Sequence, residues 1–285
     1  MQLSIIIINY NTFHLTSNCI RSIKEKVVDI SYEIILVDNA SKECDPTRFL
    51  DEFPEIILVP SATNTGFAGG NNLGIEKANG AYLLLLNSDT ELINNAPKIC
   101  LDFMQKQPKA GVTTAQLLYP DGRVQHNCRR FRTITWELLE VIPLYKLLPK
   151  AHREALMLHR YFDHTRSITC DWVWGAYMLF PKTILDKMKG RKLAEDFFMY
   201  SEDVLWCWEI KNQGYDIYFL PEAKVMHINQ ASTSREKKEL IRTTTIKNHA
   251  KFMRKYYPDW RWYVFASIYF AKQYSALLLG KLLKG

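Results

Sequence analysis

The chain has 285 residues, 47% hydrophobic and 24% charged, enough for one large α/β domain with a smaller appended piece. Its six cysteines are scattered without a Cys-x-x-Cys pair, which argues against a zinc site or a disulfide framework and fits a reducing compartment. The net charge of +7 is uneven: from Arg235 onward twelve basic residues face three acidic ones, so the tail calls for an anionic partner such as membrane lipid or nucleic acid.

Met1-Gln2-Leu3-Ser4 leads directly into a strand with no basic leader, so the chain is expected to start in the cytosol. Leu3 to Ile8 is uniformly apolar, the pattern of a strand buried on both faces, and it ends on Asn9-Tyr10-Asn11. A helix capped by Asn11 or Thr12 follows, with Leu15, Cys19, Ile20 and Ile23 at helical spacing. Glu33 to Val37 predicts a second strand that stops on Asp38, and Glu55 to Val59 a third. Residues 62 to 74 read as a polar, glycine-rich connection feeding a helix through Asn79. Five apolar residues, Tyr82 to Leu86, then form the central strand, which ends abruptly on Asn87, Ser88 and Asp89. Strands alternating with helices at this spacing predict βαβ units and a parallel sheet, whose carboxyl edge binds ligands.

The loops discriminate among nucleotide-binding folds. The first turn, Asn9-Tyr10-Asn11-Thr12, has no glycine, so the dinucleotide fingerprint is absent, and so is a Walker A loop. Two strands end instead on aspartates. A carboxylate beside a polyphosphate repels it unless it meets sugar or base groups, or a cation stands between. Asp38 is therefore read as an acceptor for the nucleoside, and Asp89 as an oxygen ligand for Mg²⁺ or Mn²⁺. The plainer reading, a helix cap at Asn87 to Thr90, stands beside it.

Five runs in order carry a family resemblance: Ser4 to Asn11, Val37-Asp38-Asn39-Ala40-Ser41, Asn64 to Gly74, Leu86 to Thr90, and Phe197 to Val204, with Gly175-Ala176 and His227 in place. Together they resemble glycosyltransferase family 2, in its rhamnosyltransferase-like branch, over residues 1 to about 235. The resemblance implies a GT-A (Rossmann-like) fold, a mostly parallel sheet flanked by helices, with a C-terminal helical extension. It implies that Asp89 holds a divalent cation, with His227 completing the metal shell. Asp203 would be the catalytic base. Asn9, Asn11, Asp38, Asn39, Asn64, Gly66, Gly69, Asn71, Asn72, Asn87 and Ser88 would bind the nucleotide donor. Trp174, Gly175, Ala176 and Glu202 would meet the acceptor. Two departures stand out: Asn87 replaces the first aspartate of Asp-x-Asp, and Leu205 occupies a place where many relatives carry an aspartate.

Physical chemistry supports the same roles. An inverting transfer needs one carboxylate to take the acceptor proton while a metal stabilises the departing diphosphate. Glu202-Asp203 opens a helix whose N-terminal dipole favours ionised carboxylates. The four glycines between residues 66 and 74 are expected where backbone comes close to the donor. Residues 116 to 195 are less legible: Pro120 to Arg123 is a turn, and Trp136 to Tyr161 mixes aromatic and basic residues without one period.

Beyond Pro258 aromatics and leucines alternate with Lys272 and Gln273, short of the roughly 20 apolar residues of a span. A helix lying in a membrane interface fits, as does one packed on the domain or on a second copy of the chain. The expected division is 1–115 for the donor half, 116–235 for the acceptor and catalytic half, and 236–285 for the extension. The whole predicts an inverting, metal-dependent transfer of sugar, rhamnose from dTDP-rhamnose by resemblance, onto a lipid-linked glycan at the cytoplasmic face of a membrane, with no nucleic-acid partner. A nucleotidyltransferase and a catalytically decayed sugar-nucleotide-binding protein are the rivals.

Overall fold

A computed structural model describes residues 1–141, 144–228 and 235–282. The side chains of Arg235, Lys237, Lys238, Leu277 to Leu279 and Lys281, and all of Lys284, lie outside the described residues. The chain divides into two compact units, residues 1–128 with 163–232 and residues 129–162 with 233–285.

In the first unit, β1 (Leu3–Asn9) is followed by helix α1 (Phe13–Lys26), β2 (Tyr32–Asp38) and β3 (Ile57–Pro60). Helix α2 (Gly66–Lys77) leads to β4 (Tyr82–Asn87) and the short β5 (Thr90–Leu92), and then α3 (Ala96–Lys106) to β6 (Ala110–Leu118). Later come β7 (Tyr177–Pro181), helix α4 (Glu202–Asn212) and the long β8 (Asp216–His227). The strands order as β3-β2-β1-β4-β7-β6-β8-β5. The uniformly apolar runs of β1, β2 and β4 are buried because helices cover both faces of a parallel sheet, leaving Leu3, Ile5 to Ile7 and Leu83 to Leu85 with no exposure.

The sheet is mixed. β3, β2, β1 and β4 run parallel, as do β6 and β8, while β7 enters antiparallel between β4 and β6 and β5 lies antiparallel to β8. Because β7 reverses direction twice across the sheet, β8 points the same way as β4. The carboxyl ends of β1, β2, β4 and β8 therefore share one edge, together with the start of β7.

One sequence expectation is corrected here. The glycine-rich stretch is not a loop but helix α2, from Gly66 to Lys77. Its glycines admit close packing on the sheet: a Cβ on Gly74 would lie 2.4 Å from Ile6 Cγ2, and one on Gly70 3.0 Å from Ile8 Cδ1. Gly70 and Gly74 thus approach β1.

The second unit joins the tail to a segment that the sequence left illegible. Helices Ile134–Val141 and Lys150–Met157 group with the long helices Arg235–Tyr256 and Arg261–Leu282. β6 and β8 pair within the first unit, and residues 129–162 group with the tail. Phe131 packs against Phe252 with ring centroids 5.7 Å apart, and Phe265 stacks on Tyr269 at 5.4 Å. Glu137 has no exposure and is held by both Arg132 and Lys272, which also reach Glu140 at 2.5 and 2.7 Å. Burial opposes ionisation of Glu140, but these two cations pull its carboxyl down to about 2. Burial lowers the His249 imidazole to about 3, with Arg132 and Lys272 adding to the effect. Among the described residues no helix is long and apolar enough to cross a membrane.

Candidate active site

The shared carboxyl edge gathers the predicted residues. Asn9 and Asp38 are paired across β1 and β2, and Asn87 follows Leu86 at the end of β4, opposite Ile8. Asp38 is buried, its Oδ1 accepting from Asn9 Nδ2 at 2.8 Å and its Oδ2 from the Ser41 amide at 3.1 Å. Asn9 is also buried, and its Oδ1 accepts from Thr12 and Thr16, so it sets Asp38 and the start of α1 together. Asn11 sits at φ 54, and its Oδ1 accepts from the Lys42 amide, which ties the two loops beside the cleft.

A cleft opens above this edge. Of the predicted donor residues, Asn39, Asn64, Gly66, Asn87 and Ser88 line it, with Asp89. Sequence reasoning missed Tyr10, Thr12, Phe67 and Met199, which complete its walls. Tyr10 follows a strand end, lines the cleft and is 48% exposed.

The N-terminal amides of α2 are already occupied. Thr65 N donates to Asn39 Oδ1, Gly66 N to Asn64 Oδ1, and Phe67 N to the carbonyl of Phe198. Gly66 has φ 73, and a Cβ there would strike the Phe198 carbonyl at 2.3 Å, so only glycine fits.

Three predicted donor residues face elsewhere. Gly69 lies against Thr65, and Asn71 is buried with its amide donating to the Phe67 carbonyl. Asn72 is buried too; its Nδ2 donates to Leu193 O and Glu195 Oε1, and its Oδ1 accepts from Leu193 N. It ties α2 to the chain leading into α4, so its polar groups serve positioning. A sequence offers no means to distinguish such an amide from a ligand-facing one.

Asp89 and His227 meet through strand pairing. Thr90 lies opposite His227 in the β5–β8 register, and Ile228 N donates to the Asp89 carbonyl at 2.9 Å. This sets His227 Nε2 3.3 Å from Asp89 Oδ1, the histidine buried and the aspartate side chain 19% exposed. The other ring nitrogen, Nδ1, stands 2.7 Å from Gln125 Oε1. Among the described residues no third His, Cys, Asp or Glu joins them. The pair is a hard carboxylate oxygen and an imidazole nitrogen, a donor set that suits Mn²⁺ or Mg²⁺ when diphosphate oxygens and water supply the remaining positions. Asn87 ends β4 with its amide donating to Ala176 O, which links the strand end to the start of β7.

Asp203 and Glu202 begin α4 after two residues of positive φ, Tyr200 at 70° and Ser201 at 79°. Asp203 is half-buried and accepts from Gly175 N at 3.3 Å and Val204 N at 2.8 Å. At Gly175 a Cβ would lie 2.7 Å from Phe67 Cε1, so the glycine leaves room for that ring. Trp174 stands edge-on to the His227 ring at 6.3 Å, so the segment 174–176 bridges the two carboxylate sites. Glu202 differs sharply from its neighbour. It is buried, its Oε2 has no hydrogen-bond partner, and burial together with the Asp203 charge pushes its carboxyl up to about 8. Desolvation here outweighs the helix dipole expected to ionise both.

Residues 4–187 match glycosyl transferase family 2. The chain is 25% identical over 240 residues to the uncharacterised protein y4gI of Sinorhizobium fredii, covering 82% of itself but 25% of that protein. It is 24% identical over 218 residues to the N-acetylglucosaminyl-diphospho-decaprenol L-rhamnosyltransferase of Mycobacterium tuberculosis, covering 71% of itself and 68% of the relative. The fold resembles the crystal structure of S. aureus TarS 1-349, with a TM-score of 0.54 at 16% identity over 90% of this chain and 73% of that one.

Proposed function

The chain belongs to glycosyl transferase family 2, a glycosyltransferase by fold and motif, and we propose that it moves a sugar with inversion from a nucleoside diphosphate to a glycan acceptor. The observation that carries this is the convergence of Asp38, Asp89, His227 and Asp203 from four separate strand and helix ends around one edge.

Asp38 and Asn39 receive the nucleoside, with Tyr10 offering a face for the base. Asp89 and His227 would hold a divalent cation, which would offset the charge that builds on the departing diphosphate. Asn64 and Ser88 contribute polar groups on the cleft wall. Asp203, fixed by two backbone amides, accepts the proton from the attacking hydroxyl as that oxygen approaches the anomeric carbon. Neutral Glu202 beside it leaves the pair with a single charge, so the base keeps its acceptor capacity without a second carboxylate repelling it. One base and no covalent intermediate give inversion.

The donor we propose is dTDP-rhamnose, supported by the rhamnosyltransferase from M. tuberculosis, whose name also supports a lipid-linked diphosphate acceptor. Such an acceptor is met at a membrane surface. The second unit supports peripheral attachment on the cytoplasmic face: Trp260 and Tyr263 are 69% and 64% exposed, beside the cations Arg254 and Arg261.

The test is a panel of nucleotide sugars with and without Mn²⁺, read by thermal stabilisation and by sugar transfer. Stabilisation by dTDP-rhamnose that needs Mn²⁺, followed by transfer, supports the reading. Stabilisation by a different nucleotide sugar refutes the proposed donor. Equal binding in a chelator refutes the metal.

A further inference from the structure

We propose that Gln125 is a positioning residue that fixes the His227 imidazole as the Nδ1–H tautomer and so keeps Nε2 open toward Asp89. The inference rests on the reading of Asp89 and His227 as cation ligands.

Gln125 belongs to a two-residue strand, Val124–Gln125, paired antiparallel to the end of β6, with Leu117 opposite Gln125. It is 1% exposed, so its carboxamide has no water to satisfy it and must use its protein neighbours. Both ends of that carboxamide point at one residue. Its Nε2 lies 2.6 Å from the His227 carbonyl oxygen, and its Oε1 lies 2.7 Å from His227 Nδ1.

The orientation follows from hydrogen-bond chemistry. A carbonyl oxygen only accepts, so the group facing it must be the amide nitrogen. The flipped amide would press two acceptor oxygens together at hydrogen-bond distance inside the protein, which is unfavourable. With Nε2 fixed on the carbonyl, Oε1 faces the ring. A carboxamide oxygen also only accepts, so the proton of a neutral imidazole must sit on Nδ1. The lone pair is then on Nε2, directed at Asp89 Oδ1 only 3.3 Å away.

Two acceptors facing each other at that distance repel, unless a positive charge lies between them. Gln125 therefore sets two acceptors toward one point, an arrangement that suits a cation. Outer hydrogen bonds of this kind set the orientation and basicity of metal-binding histidines, and losing one lowers metal affinity by about 10–100-fold. Trp174 stands edge-on to the ring, with centroids 6.3 Å apart.

The experiment reads the tautomer directly. Long-range ¹H–¹⁵N correlation spectra of the metal-free chain at pH 9 distinguish Nδ1–H, Nε2–H and doubly protonated rings, and a His227→Ala spectrum assigns the signal. The wild-type ring should be Nδ1–H. In Gln125→Met it should shift to Nε2–H, donating to Asp89, and Mn²⁺ affinity in the presence of a nucleoside diphosphate should fall by about 10–100-fold. Gln125→Glu, which can still accept from Nδ1–H, should restore the wild-type tautomer. A wild-type ring found as Nε2–H or doubly protonated overturns the role of Gln125, whatever binds Mn²⁺ and whether or not any variant folds. A Gln125→Met ring that remains Nδ1–H overturns it as well. A shifted tautomer with unchanged Mn²⁺ affinity removes His227 from the cation, so the two readings fail on different measurements.

Discussion

The amide of Gly175 donates to Asp203 Oδ2 at 3.3 Å, which fixes the carboxylate at the head of α4 against the segment that opens β7. Val204 N donates to the other oxygen at 2.8 Å, so two backbone amides orient Asp203. Asp203→Asn keeps the shape and removes the basicity. It should lower kcat by ~10²–10⁴ while leaving donor and Mn²⁺ affinity within about twofold of wild type. Steady-state transfer kinetics with donor-binding titrations decide; if Glu202→Gln does that damage and Asp203→Asn does not, the roles are exchanged.

Glu202 makes stability depend on pH. Its folded carboxyl is raised to about 8 by burial and by Asp203, above the ordinary value of 4.5. Between those two values the folded state holds a proton that the unfolded state has lost, so stability falls as pH rises through the window. Below pH 4.5 the penalty is absent, and above about 8 it is complete. Glu202→Gln should therefore match wild type at about pH 4 and exceed it at about pH 9, by as much as a few kcal/mol. Urea melts at the two pH values test this; a constant difference between the proteins would contradict it.

Asp89 is the only carboxylate that reaches His227 among the described residues. Asp89→Ala should abolish transfer and the Mn²⁺-dependent part of donor binding, since Asn87 and Ser88 offer only neutral oxygens. Isothermal titration of Mn²⁺ with nucleoside diphosphate measures it directly. Retained Mn²⁺-dependent turnover would remove Asp89 from the metal.

Asn72 separates a structural amide from a donor contact. Asn72→Ala leaves Leu193 N and O without their partner inside the protein, which should destabilise the fold by about 2–4 kcal/mol. Donor affinity measured well below the melting temperature should stay close to wild type. A tenfold loss of donor affinity at unchanged stability would restore the original expectation for this residue.

The tail is best probed by substitution. Truncation after Tyr257 would remove Lys272 and leave the fully buried Glu137 with half its countercharge, destabilising the second unit itself. Trp260→Ser with Tyr263→Ser changes only exposed surface and should leave the melting temperature unchanged. Binding to anionic liposomes should fall by about tenfold and weaken further in high salt. Undiminished liposome binding would mean that the tail is a packing element alone.

The strands were legible in the residues because burial on both faces requires unbroken apolar runs, and β1, β2 and β4 obey that rule with their polar residues placed at one end. The motif order likewise fixed the family, since it depends on local residue types. What sequence could not supply was direction in space. Glycines in a run signal close approach, but only the fold shows that Gly70 and Gly74 approach β1. Asparagines signal hydrogen bonds, but only packing separates Asn64 on the cleft from Asn72 inside the fold. The antiparallel insertion of β7 and the β5–β8 register decide that Asp89 meets His227, because strand pairing joins residues far apart in the chain. Gln125 carried no local signal at all. Its meaning lies in two hydrogen bonds to one distant residue, and hydrogen-bond direction exists only once the tertiary structure has brought donor and acceptor together.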